Sequence, residues 1–265
     1  MTARRPIDAS VLTSALTGPG RTWTEVRVSE STGSTNADAA AAARDGAAEG
    51  LVVTTERQVA GRGRLDRTWE TVPGAAVAVS VVLRPDVPPG AWVWLPLLAG
   101  LAVDAAADDL GVRSTLKWPN DVLVEDRKLA GILLERVETP TGPAAVVGVG
   151  LNVALTESEL PVPTATSLLL AGAHETDRTA VLAVLLDHLE RLYRAWLSDG
   201  GDPTPTLRRR YLERCGTVGS TVRVQLPDGS DLVGVAETID QHGRLVVAGR
   251  AVSAGDVTHV RPIRP

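Results

Sequence analysis

Thr115-Leu-Lys-Trp-Pro-Asn-Asp-Val-Leu-Val-Glu-Asp-Arg-Lys-Leu-Ala-Gly-Ile-Leu-Leu-Glu135, running on through Gly148-Val-Gly-Leu-Asn-Val153, is the stretch whose reading decides the fold. Thr115–Lys117, Asp121–Glu125, Leu129–Val137 and Ala144–Val153 are short aliphatic and β-branched runs joined by tight turns, so four β segments follow one another here. Pro119 forces its predecessor out of the helical region, which makes Lys117-Trp118 a strand end. Asn120 and Asp121 are compatible with a simple Asx-type turn, and Trp118 with core packing. Lys128, on a hairpin arm, is equally readable as a charge protecting an edge strand. Gly148 and Gly150 interrupt a β-branched strand, the pattern expected where another group comes close to the backbone.

Upstream, a short helix follows Asp8, with Val11, Leu12 and Leu16 on one face, and Val26 and Val28 mark a strand. The polar turn Ser29-Glu-Ser-Thr-Gly-Ser-Thr-Asn36 leads into an alanine-rich helix, capped by one of its hydroxyls and closed near Gly46. Leu51–Thr55 and Ala75–Leu83 read as strands, and residues 58–74 between them as a long loop of the kind usually tied to function. Trp92–Leu110 reads as a buried helix, and helical periodicity returns at Thr179–Leu197 and Thr206–Cys215. From Gly216 the texture changes to short alternating valine and leucine runs broken at Pro227-Asp-Gly229 and His242-Gly243, a small β-barrel. The expected organisation is therefore α/β (α+β), with one domain over residues 1–215 and a second over 216–265.

Composition narrows the function. A chain of 265 residues with 44% hydrophobic and 22% charged residues can build a core and is not disordered. The lone Cys215 excludes internal disulfides and cysteine-rich zinc sites, and suits a reducing cytoplasm. A net charge of −5 argues against a dedicated nucleic-acid binder. No signal-type apolar region follows Arg4 and Arg5, and the apolar run Ala91–Val103 is too short to span a bilayer, so a soluble cytoplasmic protein is expected. Phe is absent, Lys117 and Lys128 are the only lysines, and Asn36, Asn120 and Asn152 the only asparagines.

Against that acidic background the loop Gly61-Arg-Gly-Arg-Leu-Asp-Arg67 stands out. Arg57, Arg62, Arg64 and Arg67 against Asp66 give it a local charge of +3. Gly61 and Gly63 allow close backbone approach, so amides and guanidinium groups can face one anion. A solvated basic turn explains the same residues equally well. No Gly-Lys-Ser/Thr follows, so this is not a nucleotide P-loop, and Asp66 stands where a dinucleotide fingerprint needs its third glycine. The four histidines at 174, 188, 242 and 259 lie outside these segments and read as surface residues, leaving no Ser-His-Asp or Cys-His arrangement.

Taken in order, Ser34-Thr-Asn36, Gln58 with Gly61-Arg-Gly-Arg64, Lys117-Trp-Pro-Asn-Asp121, Lys128-Leu-Ala-Gly-Ile-Leu-Leu-Glu135 and Gly148-Val-Gly-Leu-Asn152 resemble the biotin protein ligases. Ser253-Ala-Gly-Asp-Val-Thr-His-Val-Arg261 resembles the closing strand of that family's SH3-like C-terminal domain. The resemblance implies a mixed sheet with helices, related to class II aminoacyl-tRNA synthetases and lipoate ligases, followed by an SH3-like barrel. About thirty residues precede Ser34, too few for the family's N-terminal winged helix-turn-helix, so the monofunctional type is expected.

The resemblance also implies the chemistry: biotin and MgATP give biotinoyl-5′-AMP and pyrophosphate, and a lysine of a biotin carboxyl carrier domain of acetyl-CoA carboxylase or a related carboxylase then takes the biotin. It implies that Ser34, Thr35, Asn36 and Gln58 bind biotin's ureido ring or line its pocket. Arg62 and Arg64, with Gly61, Gly63 and Arg67, would order the loop over carboxylate and phosphate, and Lys128 would sit beside both. Trp69 would pack near the adenine or the ordered loop, and Asn152 and Arg261 would contact the nucleotide side. Lys117, Asn120, Gly131, Ile132, Leu133 and Gly150 complete the implied binding set, and Asp121 would orient or deprotonate the acceptor lysine. Magnesium would ride on the phosphates with no protein ligand. A lipoate-type ligase of the same fold, a biotin-responsive repressor and a non-catalytic ligand sensor are the competing readings; a monomer and a sheet-paired homodimer are both compatible with the sequence.

Overall fold

The computed structural model describes residues 4–64, 67–69, 71–226, 229–253 and 256–259. Seven strands form one sheet in the order β1-β2-β3-β7-β6-β5-β4: β1 (Glu25–Ser29), β2 (Leu51–Thr55), β3 (Ala76–Leu83), β4 (Thr115–Lys117), β5 (Asp121–Val124), β6 (Arg127–Val137) and β7 (Ala144–Asn152). β1 pairs with β2 in parallel, and every other pairing in the sheet is antiparallel. β3 and β7, at the centre, are buried along nearly their whole length, which is why their sequences carry no polar alternation.

Helices cover the two faces unequally. α1 (Ala9–Leu16), α3 (Leu95–Asp109) and α4 (Arg178–Ser198) pack on one face over Val77, Val79, Val81 and Leu83. On the other face, among the described residues, the helix that packs is α2 (Thr35–Arg44), through Ala39, Ala40 and Ala43 against Leu51, Val53, Val82 and Val146. Small side chains bring α2 close to the sheet, and its brevity leaves the rest of that face uncovered beyond its N-terminus.

Two local expectations need correction. The buried helix begins at Leu95, because Pro89–Trp94 forms a 3-10 turn ahead of it and Pro96 occupies the first helical turn, where its missing N–H is no loss. Ser34 does stand at the N-cap of α2, but its hydroxyl makes no capping bond. Gln58 Oε1 supplies the acceptor instead, 2.8 Å from the Thr35 amide and 3.1 Å from its hydroxyl. The stretch Pro89–Asp109 has the length and apolarity of a membrane span, with mean hydropathy 1.5, yet most of it is buried in this core.

After α5 (Leu207–Arg214) the chain enters a five-stranded antiparallel sheet of order β11-β10-β9-β8-β12, made by β8 (Thr221–Gln225), β9 (Asp231–Ile239), β10 (Leu245–Val247), β11 (Arg250–Val252) and β12 (Asp256–His259). Two indoles tie it to the larger sheet: Trp94 Nε1 donates to Gln241 O at 2.8 Å and Trp118 Nε1 to Gly243 O at 2.9 Å. Trp118 is thus a core residue, as its sequence context suggested.

Candidate active site

The uncovered part of the sheet has a floor almost without side chains. Ala78 of β3, Gly150 of β7 and Gly131 of β6 lie in one cross-strand row, and Ser80, Gly148 and Leu133 in the next. The groups that approach these glycines come from the chain itself. A β-carbon at Gly148 would overlap Asn36 Oδ1, and one at Gly150 would overlap the Trp69 indole. At Gly131 it would stand 3.1 Å from both Trp69 and Lys128 Nζ.

One end of the cavity above this floor is neutral and polar. Ser34, Thr35 and Asn36 are buried at the start of α2. Ser80 Oγ lies 2.8 Å from Thr35 Oγ1 and 2.6 Å from Asn36 Oδ1, while Asn36 Nδ2 donates to Glu135 Oε2 at 2.7 Å. The other end is cationic. Arg62, Arg64, Arg67, Lys117 and Lys128 line the same cavity, with Asp121 as the carboxylate among them.

Lys128 reaches this end because β6 is irregular. The pairing shifts from Val122↔Ala130 to Leu123↔Lys128, so Leu129 is an extra residue in the ladder. Leu129 and Ala130 both enter the core on the far face, which returns Lys128 to the site face that it would otherwise miss. Its ammonium lies 2.7 Å from Asp121 Oδ1 and 5.6 Å from the Trp69 ring centroid. β6 lies between β5 and β7, so the edge-strand reading of Lys128 does not hold.

The basic loop crosses above. Gly63 N donates to Arg67 O at 2.6 Å and Trp69 N to Gly61 O at 2.9 Å, closing a small hairpin. Arg62 pairs with Glu135 at 3.0 Å, and Arg64 donates to Asn120 Oδ1 at 3.2 Å. Asn120 lies in the turn at 118–120 that its sequence allowed, and its side chain also donates to Ile132 O at 3.1 Å, tying that turn to β6. Beneath Asp121, burial pushes the Tyr211 phenol well above its usual range, with Cys215 and Asp121 adding to the effect, and the Cys215 thiol is raised by burial as well. Neither group is suited to act as a base near neutrality.

Of the residues expected at the site, those from Ser34 to Asn36, Gln58, Arg62 to Arg64, Arg67, Trp69, Lys117, Asn120, Asp121, Lys128, Gly131 to Leu133 and Gly150 line this one cavity. Gly61 borders an adjoining hollow under the loop. Asn152 does not line it: the side chain is buried and donates to Thr166 O at 2.9 Å. It thereby holds the segment whose Thr164 O and Thr166 N flank the Lys128 backbone. Arg261 lies outside the described residues.

A family model described as biotin/lipoate A/B protein ligase matches residues 28–152, and one described as biotin protein ligase C terminal domain matches residues 217–260. Over 268 residues the chain is 46% identical to the biotin–acetyl-CoA-carboxylase ligase of Mycobacterium tuberculosis, covering 97% of each. The chain belongs to the biotin protein ligase family. The bifunctional ligase/repressor BirA of Bacillus subtilis is 34% identical over 77% of this ligase, which spans 63% of that protein. In fold, this ligase is similar to the biotin protein ligase from Aquifex aeolicus solved in complex with biotin and ATP, with a TM-score of 0.74 at 21% identity over 89% of this chain and 99% of that one.

Sequence reasoning missed two members of the site. Ser80 is the one hydroxyl in the otherwise apolar β3, a signal that was present in the sequence. Glu135 ends the quoted Lys128–Glu135 motif, but nothing local distinguishes its carboxylate from a solvated one.

Proposed function

We propose that this ligase activates biotin with ATP to biotinoyl-5′-AMP, releasing pyrophosphate, and transfers the biotinoyl group to a lysine of a carboxylase's biotin carboxyl carrier domain, releasing AMP. The observation that carries this reading is a single cavity with a neutral hydrogen-bonding end and a cationic end over a floor of glycines. A ureido ring is uncharged and presents N–H and C=O groups, which suits Ser34, Thr35, Asn36 and Gln58. A carboxylate approaching a triphosphate meets strong repulsion, which Arg62, Arg64, Arg67 and Lys128 offset. Positioning and charge suffice for this step, and no side-chain nucleophile is required.

Asp121 and Lys128 divide the work between the two steps. The ammonium leaves its 2.7 Å contact with Asp121 to hold the substrate carboxylate and α-phosphate. The released Asp121 carboxylate then orients the acceptor lysine and takes its proton, needed because a free lysine with a pKa of about 10.4 is almost wholly protonated at neutral pH. Magnesium supplies further charge neutralisation when bound with ATP. Asp121 is given to the acceptor lysine, and Glu135 is held by Arg62 and Asn36, so no protein ligand is assigned to the metal. Residues 1–215 are taken as the catalytic unit and 216–265 as the C-terminal unit, in a cytoplasmic protein.

Biotin-dependent exchange of pyrophosphate into ATP, followed by mass spectrometry of a carrier domain, tests the reading. Exchange with biotin and a carrier heavier by one biotinoyl group are expected. Exchange with lipoate and none with biotin would overturn it.

A further inference from the structure

We infer that Glu135 is a positioning residue that sets the amide of Asn36 and fastens the basic loop to the sheet, so that the two ends of the cavity are coupled through one carboxylate. The inference rests on the ligase reading and adds to it a residue whose side chain stands beside the cavity without lining it.

The argument begins with the acceptor. An ionised carboxylate only accepts hydrogen bonds, so the Asn36 atom 2.7 Å from Glu135 Oε2 must be the amide nitrogen. Asn36 Oδ1 is then directed at Ser80 Oγ, 2.6 Å away, over the space that Gly148 leaves open. An asparagine with two neutral neighbours would be free to present either end of its amide. Glu135 removes that freedom, and with it the ambiguity of what Asn36 offers a ligand in the polar end of the cavity.

The same oxygen also accepts from Arg62 Nη2 at 3.0 Å. Arg62 belongs to the loop, Asn36 to α2, and Glu135 to β6, so three segments distant in sequence meet at one atom. Any displacement of Asn36 by a ligand is felt at the grip on Arg62, and the reverse. Glu135 sits on the rigid partner of the three, paired with Val146 within the sheet. Its strand neighbours Gly131 and Leu133 line the cavity on the same face, whereas Ala130 on the opposite face is in the core. A surface ion pair alone would do little, but an acceptor shared with a buried amide also carries the cost of leaving that amide unsatisfied.

The test compares Glu135→Gln and Glu135→Leu with the unsubstituted full chain in biotin-dependent pyrophosphate exchange, beside limited proteolysis within residues 58–74 with biotin present. Glu135→Gln retains an acceptor and loses the charge; Glu135→Leu loses both. The KM for biotin is expected to rise about threefold in the first and about tenfold or more in the second, with kcat at saturating biotin changed less than KM. Loop cleavage in the biotin-bound state should speed up in the same order, while the melting temperature of Glu135→Gln stays at the wild-type value. If Glu135→Leu does not fold, Glu135→Gln decides alone. A KM for biotin in Glu135→Gln within about 1.5-fold of wild type, a loss confined to kcat, or unaltered loop cleavage overturns the inference. Absence of biotin-dependent exchange in the unsubstituted chain overturns the ligase reading, and this inference with it.

Discussion

At the scale of single residues, the site depends on what is missing as much as on what is present. Lys128 has one close carboxylate partner and a half-exposed side chain, so its removal touches little of the core. Lys128→Ala is expected to lower biotin-dependent pyrophosphate exchange by at least about 100-fold, with a thermal melt close to wild type. The floor glycines make the converse case. A methyl group at Gly148 would displace Asn36 and with it the contact to Ser80. Gly148→Ala should therefore raise the KM for biotin more than about tenfold and cost about 1–3 kcal/mol of stability, read from a urea titration. That pairing of effects distinguishes a floor residue from one that only touches ligand.

At the scale of elements, the β5–β6 hairpin and the basic loop behave oppositely. The hairpin turns at Glu125 and Asp126 with φ of 49° and 66°, the left-handed geometry of a two-residue type I′ turn, which glutamate adopts poorly. Glu125→Asn is expected to stabilise the fold by about 0.5 kcal/mol without altering exchange activity, measured as a higher denaturation midpoint. The loop is held from outside by Arg64 on Asn120 and Arg62 on Glu135. Arg64→Gly should weaken closure over the adenylate and speed its release by about tenfold or more, detected as free biotinoyl-AMP and as biotin on unrelated proteins. Retention of the adenylate at the wild-type rate would exclude closure through Arg64.

At the scale of the whole molecule, the N-terminal segment is strapped across the fold. Arg4 pairs with Glu159 at 2.5 Å and donates to Ala154 O at 2.8 Å, and its side chain lies 3.2 Å from the position of a β-carbon on Gly74, at the end of the basic loop. The Arg4 hydrogen bond, helped by Thr156, holds the Glu159 carboxyl at about 2, below its ordinary 4.5. A folded value below the unfolded one means that the charged form stabilises the fold. That contribution is complete above about pH 4.5 and is lost as pH falls toward about 2. The wild-type melting temperature should accordingly fall more steeply over that interval than that of Glu159→Gln; parallel curves would show that the strap contributes nothing. The partial exposure of both side chains keeps the effect modest.

Much of this was legible along the chain, because periodicity is local. The alternation of β8, the β-branched run of β2, the largely apolar run of β3 and the capping aspartate of α1 each follow from neighbours within a few residues. The identities of Lys128, Asp121, Gln58 and the loop arginines were legible too, through their resemblance to a known set of motifs. Tertiary structure decided what no local pattern encodes. An extra residue at Leu129 inverted the facing of Lys128, Gln58 replaced Ser34 as the cap of α2, and the strand glycines proved to be seats for Asn36 and Trp69. Glu135 gained its partners only when β6, α2 and the loop met. The sequence determined the elements and their chemistry; the contacts between distant segments decided which side chains face one another, because that depends on the register and packing of the assembled sheet.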